Sequence, residues 1–306
     1  MDDRHDHAAA THHGAALFEK DGFRVRACES CGFSHVVPVP TSAELAELYR
    51  DTYYATEKPL YLDRYERDRA WWNLTNDDRL ELGERALGGR RGRVLDVGSG
   101  PGLFLDRARE RGWEVVGIEP STQAAAQARG NGHTIVEDFL DERTAPALGD
   151  FDLVHASFVL EHLPDPAAML RIFAALLREG GAVVLSVPND DNPVQRAAVA
   201  TGVAHAWWYA PPHHLNYFTV ESLSALTERE GFRVVDRLST YALEQALLMG
   251  DAYVGNDELG RRVHERRMAF ELAMDAGGQR DARLALYRAQ ATAGIGREAV
   301  VVGVRR

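Results

Sequence analysis

One run of residues, Val94-Leu95-Asp96-Val97-Gly98-Ser99-Gly100-Pro101-Gly102, restricts what this chain can fold into more than any other stretch. It reads as a buried strand ending in a carboxylate, then a glycine-rich turn, then a helix beginning near Leu103. Glycine takes positive φ at little cost and lets the backbone come close to a bound group. The next strand, Trp113 to Ile118, ends at a second carboxylate, Glu119. An acid roughly 20 residues beyond such a turn is the usual partner of a ribose hydroxyl in a βαβ nucleotide site. The order of strand, acid, glycines, helix, strand and acid points to a nucleotide-type cofactor.

Charge narrows the cofactor. Dinucleotide sites use G-x-G-x-x-G and rest a pyrophosphate on the helix N-terminus. This chain has G-x-G-x-G, and its turn follows an acid, Asp96. A carboxylate there repels a pyrophosphate and suits a ligand carrying ammonium and sulfonium charges. S-adenosylmethionine fits that charge pattern better than NAD.

The segments LDVGSGPG (95–102), GIEPS (117–121), VEDFL (136–140), FDLVHASFVLEHLPDP (151–166) and LREGGAVVLSVPN (177–189) cover the middle of the chain. Together they resemble the class I S-adenosylmethionine-dependent methyltransferases, in the branch of the ubiquinone-biosynthesis O-methyltransferases and many sugar and natural-product methyltransferases. The resemblance implies an α/β, Rossmann-like fold with a seven-stranded, mostly parallel sheet and an antiparallel edge strand. An N-terminal extension and a helical insertion near the C-terminus are added to it. It also implies cofactor roles: Gly98, Gly100 and Gly102 wrap the methionine portion near Asp96, and Glu119, followed by Pro120, accepts from the ribose. Asp138 contacts the adenine amino group with Phe139 against the ring, and Ser157 lies at the methionine end.

At 306 residues the chain can bury one large core with appendages. A net charge of −11 argues against a broad phosphate-backbone footprint, so no nucleic-acid partner is expected. Arg261, Arg262, Arg266 and Arg267 read as a solvated helix face. The polar, His-rich start, Met1 to Gly14, lacks the apolar core of a signal peptide, and the longest apolar runs are strand-sized. These features predict a cytoplasmic protein without membrane insertion; the resemblance implies a small-molecule acceptor, and oligomeric state stays open.

The chain divides into an extension (1–58), a helical lid or linker (59–92) and a cofactor-binding domain (93–306). Tyr61, Tyr65, Arg69 and Trp72 recur at helical spacing in the second part. Strands and helices alternate through residue 238, as in a parallel sheet. A helical insertion of about 240–296 precedes a final strand, Ala299 to Val304, with Leu259, Val263, Phe270 and Met274 as its expected buried stripe. Asp165 reads as an N-cap with Pro166 at the first helical position, and that helix is expected to stop near Gly180. Another should start after Thr219.

Methyl transfer requires alignment of donor and acceptor, and removal of a proton when the acceptor is a hydroxyl. Three groups are candidates for the base. His162, after Glu161, follows the fourth strand of the domain. His213 and His214 lie in an aromatic, proline-rich loop, Trp207 to Thr219, whose aromatics could wall an acceptor; the resemblance favours His214 of the two. Tyr53 and Tyr54 could reach over the site from the extension. Cys28-x-x-Cys31-Gly32 resembles the second half of a zinc-ribbon-like module found ahead of this domain in some relatives. Those relatives supply two more cysteines upstream, and this chain has none. The spacing of His5, His7, His12 and His13 does not match the lost pair. Zinc is therefore not favoured, and Cys28 and Cys31 stand as a half-site within a degenerate module; their number makes no disulfide framework.

The reading is thus S-adenosylmethionine-dependent transfer to a small-molecule hydroxyl, of a sugar, a lipid-linked intermediate or a secondary metabolite. N- or C-methylation of a similar acceptor, or cofactor binding without catalysis, remain as alternatives. Base-amine methylation is disfavoured because Ala156-Ser157-Phe158-Val159 stands where such enzymes carry an [N/D/S]-P-P-aromatic motif.

Overall fold

The computed structural model describes residues 12–40 and 65–306. Tyr53, Tyr54 and Tyr61, with His5 and His7, lie outside the described residues. The described chain opens with three antiparallel strands, β1 (Ala16–Lys20), β2 (Phe23–Cys28) and β3 (Phe33–Val37). A long helix, α1 (Arg69–Ala86), follows.

From residue 93 the period changes to that of a βαβ domain. β4 (Arg93–Val97) leads to α2 (Leu103–Glu110), β5 (Glu114–Ile118) to α3 (Thr122–Gly130), and β6 (Thr134–Val136) to β7 (Phe151–Ser157). Then come α4 (Pro166–Leu176), β8 (Leu177–Pro188), α5 (Pro193–Ala200), β9 (Asn216–Tyr217), α6 (Val220–Arg229) and β10 (Phe232–Ser239). The insertion holds α7 (Gln245–Leu248), α8 (Asp257–Ala276) and α9 (Arg280–Thr292), and β11 (Glu298–Arg305) closes the chain.

Seven strands form one sheet in the order β10-β11-β8-β7-β4-β5-β6. The pairs among β4 to β8 are parallel, and β11 runs antiparallel to both β8 and β10. Helices cover both faces, so the central strands are apolar on both sides. Ala299 and Val301 of β11 enter one core with Leu170, Phe173 and Leu223, while Val300 and Val302 enter the other with Leu80, Phe104 and Tyr287. The antiparallel pair at the end of the sheet, interrupted by inserted helices, is the arrangement expected from the sequence.

Local capping chemistry sets several boundaries. Asp165 accepts from the Ala168 N–H at 2.9 Å and begins α4 at Pro166. Thr219 and Ser222 form a reciprocal capping box that starts α6. α4 ends at Leu176 rather than near Gly180. The chain enters β8 at Leu177 through an irregular register against β7, with Gly180 at φ 69°.

Two expectations about surfaces need correction. The buried side of α8 is Val263, Arg267 and Glu271, whereas Phe270 is exposed and packs beside Tyr241. Arg267 is therefore not part of a solvated basic face. Its guanidinium lies 3.1 Å from Glu298 and over the Trp71 ring, and Trp71 and Tyr287 both donate to Glu271. A polar stripe paired with partners distant in sequence carries no hydrophobic periodicity. The loop aromatics are also placed differently. β9 pairs with β3, and Trp208, Tyr209, Leu215 and Tyr217 are buried with Val25 and Val36 in a core that joins the N-terminal sheet to the loop. Among the described residues, no helix is long and apolar enough to cross a membrane.

Candidate active site

The turn after β4 has the geometry that its glycines suggest. Gly98, Gly100 and Gly102 have φ of 69°, 52° and 90°. A Cβ at Gly98 would lie 2.9 Å from Val159, so a side chain is strained there in conformation and in space. Glu119, 3% exposed, fastens this turn: one carboxylate oxygen accepts from Gly100 N–H at 2.8 Å and the other from Ser121 N–H at 2.9 Å. Burial pushes its carboxyl up to about 6; the two backbone hydrogen bonds oppose the rise and nearby Asp96 adds to it. Asp96, also 3% exposed, is fixed by a 2.7 Å hydrogen bond from His155 Nδ1.

A cofactor with ribose hydroxyls and a cationic methionine end fits these residues. Each Glu119 oxygen takes one backbone hydrogen bond and retains acceptor capacity for a hydroxyl. Ser99 Oγ is buried beside the turn without a hydrogen-bond partner. Beyond the ends of β5 and β6, a cleft of about 210 Å³ is lined by Pro120, Thr122, Glu137, Asp138 and Phe139. Asp138 accepts from its neighbour's N–H, Phe139, at 2.8 Å. Ser157 ends β7, and Phe158 next to it holds φ 57°, strained for a residue with a side chain. Phe158 is pinned there by donation of its N–H to Ser186 O at 2.8 Å.

The histidines meet in a second corner, past the end of β7. Residues 160–162 make one short 3₁₀ turn that presents Glu161 and His162. The 207–218 loop is bolted to it: Leu215 N–H donates to Glu161 O at 2.7 Å, and the Asn216 amide donates to the carbonyls of Leu160 and Leu163. His162 Nδ1 donates to His213 O at 2.7 Å, which fixes its ring. The rings of His162 and His214 stand edge to face with centroids 5.0 Å apart. One ligand-type atom each of Glu161, His162 and His214 fall within 4.8 Å of one another. His213 contributes its carbonyl here, a backbone role that side-chain chemistry did not foretell. Tyr217 OH donates to His214 O at 2.9 Å and so holds the loop backbone at His214.

His155 and Asp190 were not singled out from sequence. His155 faces Asp96 across the β4–β7 register and stacks on Phe104, with ring centroids 3.8 Å apart. A histidine inside the apolar run Phe151 to Ala156 was the available signal. Asp190, just beyond β8, is buried, and burial pushes its carboxyl up to about 8, with Arg297 opposing and Glu244 adding. Its N–H donates to Phe218 O at 2.8 Å, so it abuts the same loop. Cys28 ends β2 and Cys31 lies on the turn to β3, where it borders one pocket with Leu215 and Asn216 of the same loop.

Known proteins bear on this geometry. A methyltransferase-domain family model matches residues 65–237. The ubiquinone biosynthesis O-methyltransferase of Actinobacillus pleuropneumoniae serotype 5b is 32% identical over 149 residues, covering 42% of this chain and 64% of that protein. Its counterpart in Aeromonas salmonicida is 30% identical over 185 residues, covering 54% of this chain and 77% of that protein. The chain thus spans a little under two thirds of the first relative's length. Magnesium protoporphyrin IX methyltransferase from Synechocystis PCC 6803, solved with S-adenosylhomocysteine, shares the fold. It aligns at a TM-score of 0.52 and 15% identity, over 84% of this chain and 98% of that one.

Proposed function

Because the chain belongs to the class I S-adenosylmethionine-dependent methyltransferases, we propose that it methylates a hydroxyl of a small-molecule acceptor: a sugar, a lipid-linked intermediate or a secondary metabolite. The observation that carries the hydroxyl reading is the grouping of Glu161, His162 and His214 beyond β7, at the carboxyl edge where open α/β sheets bind ligands. A hydroxyl acceptor needs a base, and imidazole titrates in the useful range. The relatives that are O-methyltransferases support the same reading. We read residues 93–306 as the cofactor-binding unit, with 1–58 and 59–92 as additions to it.

When bound, S-adenosylmethionine supplies a methyl group made electrophilic by its sulfonium. Asp96 attracts the cationic methionine end, Glu119 accepts the ribose hydroxyls, and Asp138 with Phe139 borders the adenine. His214 would take the proton from the acceptor hydroxyl as that oxygen is methylated. His162, oriented by the His213 carbonyl, positions the His214 ring.

The test is transfer of labelled methyl from S-adenosylmethionine to a panel of nucleotide sugars and phenols, with the product bond identified by mass spectrometry. Transfer to nitrogen or carbon alone would overturn the hydroxyl reading. His214→Ala should lower kcat about 100-fold or more, the scale of a lost proton acceptor, and leave cofactor affinity nearly unchanged. Wild-type kinetics would make His214 a packing residue.

The elevated Glu119 pKa yields a pH prediction. Its raised folded value means that the contribution to stability is fully present below the ordinary 4.5 and is lost as pH rises through about 6. Only the ionised carboxylate accepts at both oxygens, so cofactor affinity runs the other way. Calorimetry should find S-adenosylmethionine bound up to about 10-fold more weakly at pH 5 than at pH 7.5. A flat profile would take Glu119 out of the ribose contact.

A further inference from the structure

We propose that His12, Cys28, Cys31 and His35 bind one zinc ion, which ties the N-terminal strands together and steadies the loop that carries His214. Their ligand atoms all lie within 4.8 Å of one another, and Cys28 and His35 are buried. Both cysteines are free thiols. Cys28 ends β2, and Cys31 sits on the following turn, closed by Gly32 N–H donating to Cys28 O at 2.9 Å with Gly32 at φ 77°. His35 comes from β3, and His12 from the segment ahead of β1.

The distances converge on a common centre. His12 Nδ1 is 3.4 Å from Cys28 Sγ, 3.5 Å from Cys31 Sγ and 3.1 Å from His35 Nε2. One ring nitrogen has a single proton or a single lone pair, so it cannot hydrogen-bond all three. Zinc bonds of ~2.3 Å to sulfur and ~2.0 Å to nitrogen, at tetrahedral angles, place nitrogen and sulfur ligands ~3.5 Å apart and two nitrogens ~3.3 Å apart. The observed spacings match that tetrahedron.

The histidine tautomer agrees. His35 Nδ1 lies 2.9 Å from Val36 O, which can only accept, so Nδ1 carries the proton and Nε2 turns its lone pair to the cluster. Two thiolates and two neutral imidazoles cancel the charge of Zn²⁺, which suits a buried site, and binding releases both thiol protons. Soft sulfur with imidazole selects zinc over magnesium or calcium. The sequence offered Cys28 and Cys31 as half a site and His12 among several histidines. His35 went unnoticed because its spacing from the cysteines acquires meaning only once β3 folds back on β2. The methyl transfer needs no such ion; its role is mechanical. His35 pairs with Asn216 across β3 and β9, and Asn216 clamps the turn bearing Glu161 and His162.

Elemental analysis of the full chain, purified under reducing conditions without chelator, should find about one zinc per chain. Cobalt substitution should give the intense visible bands of a tetrahedral sulfur–nitrogen site. Cys28→Ser with Cys31→Ser should lose the metal, His12→Cys should keep it with a shifted cobalt spectrum, and His5→Ala with His7→Ala should keep it unchanged. Metal removal should raise hydrogen exchange at residues 33–37 and 214–217. Absence of zinc with no uptake of Zn²⁺ or Co²⁺ would overturn the site, as would a Cys28–Cys31 disulfide in reduced protein. Zinc retained by the double serine variant, or lost when His5 and His7 are replaced, would assign it to the His-rich terminus and equally overturn it.

Discussion

Asp96→Asn and Glu119→Gln should each weaken S-adenosylmethionine binding by about 10- to 100-fold, the scale of one charged hydrogen bond. Both exchanges keep the shape of the buried site. An asparagine oxygen can still accept from His155 Nδ1, whereas a glutamine oxygen can accept from only one of the two turn amides that Glu119 now holds, its NH2 facing the other. What disappears is the negative charge that we propose faces the methionine end and an acceptor oxygen that we propose faces the ribose. Calorimetric titration, paired with thermal unfolding of each variant, separates lost contact from lost fold. Affinities within 2-fold of wild type at unchanged unfolding temperature would remove both residues from the cofactor site.

Glu298→Ala is expected to cost about 3–5 kcal/mol of stability, because it strands buried charge. Glu298 begins β11 and receives Arg79 at 3.0 Å and Arg267 at 3.1 Å; Arg79 also donates to Ser186 Oγ at 2.9 Å. Burial opposes its ionisation, yet Arg267 and Arg79 hold its carboxyl below the ordinary 4.5. Its contribution is therefore present above that value and lost as pH falls through the depressed one. The midpoint of urea unfolding should drop with the slope unchanged, while cofactor affinity of the folded fraction stays as it was. A shift below about 1 kcal/mol would mean that water reaches the two guanidinium groups once the carboxylate is gone.

The parts legible beforehand were those whose cause is local. A glycine turn after an acid-ended strand, a second acid after the next strand, an Asp-Pro cap at 165 and a Thr cap at 219 all act over a few residues. The parallel domain could be read from them, and its interrupted terminal pair was implied by the resemblance to class I methyltransferases. The α8 stripe was misread because hydrophobicity was the only ruler. Arg267 and Glu271 are inside through partners on α1, α9 and β11, which spacing within the helix does not reveal. The loop aromatics were misassigned to the acceptor for the same kind of reason: their neighbours Val25 and Val36 lie far upstream.

The same division runs through the site. Residue order alone pointed to the fold class and the cofactor, through the glycine turn, its charge pattern and the resemblance of five segments to class I methyltransferases, and it placed acids at the ends of β4 and β5. Tertiary structure alone decided that His155 steadies Asp96, that His162 faces His214, and that His12 and His35 complete a pair of cysteines. Those pairings depend on strand register and loop closure, and register is set by the burial of two apolar faces at once rather than by any residue's immediate neighbours.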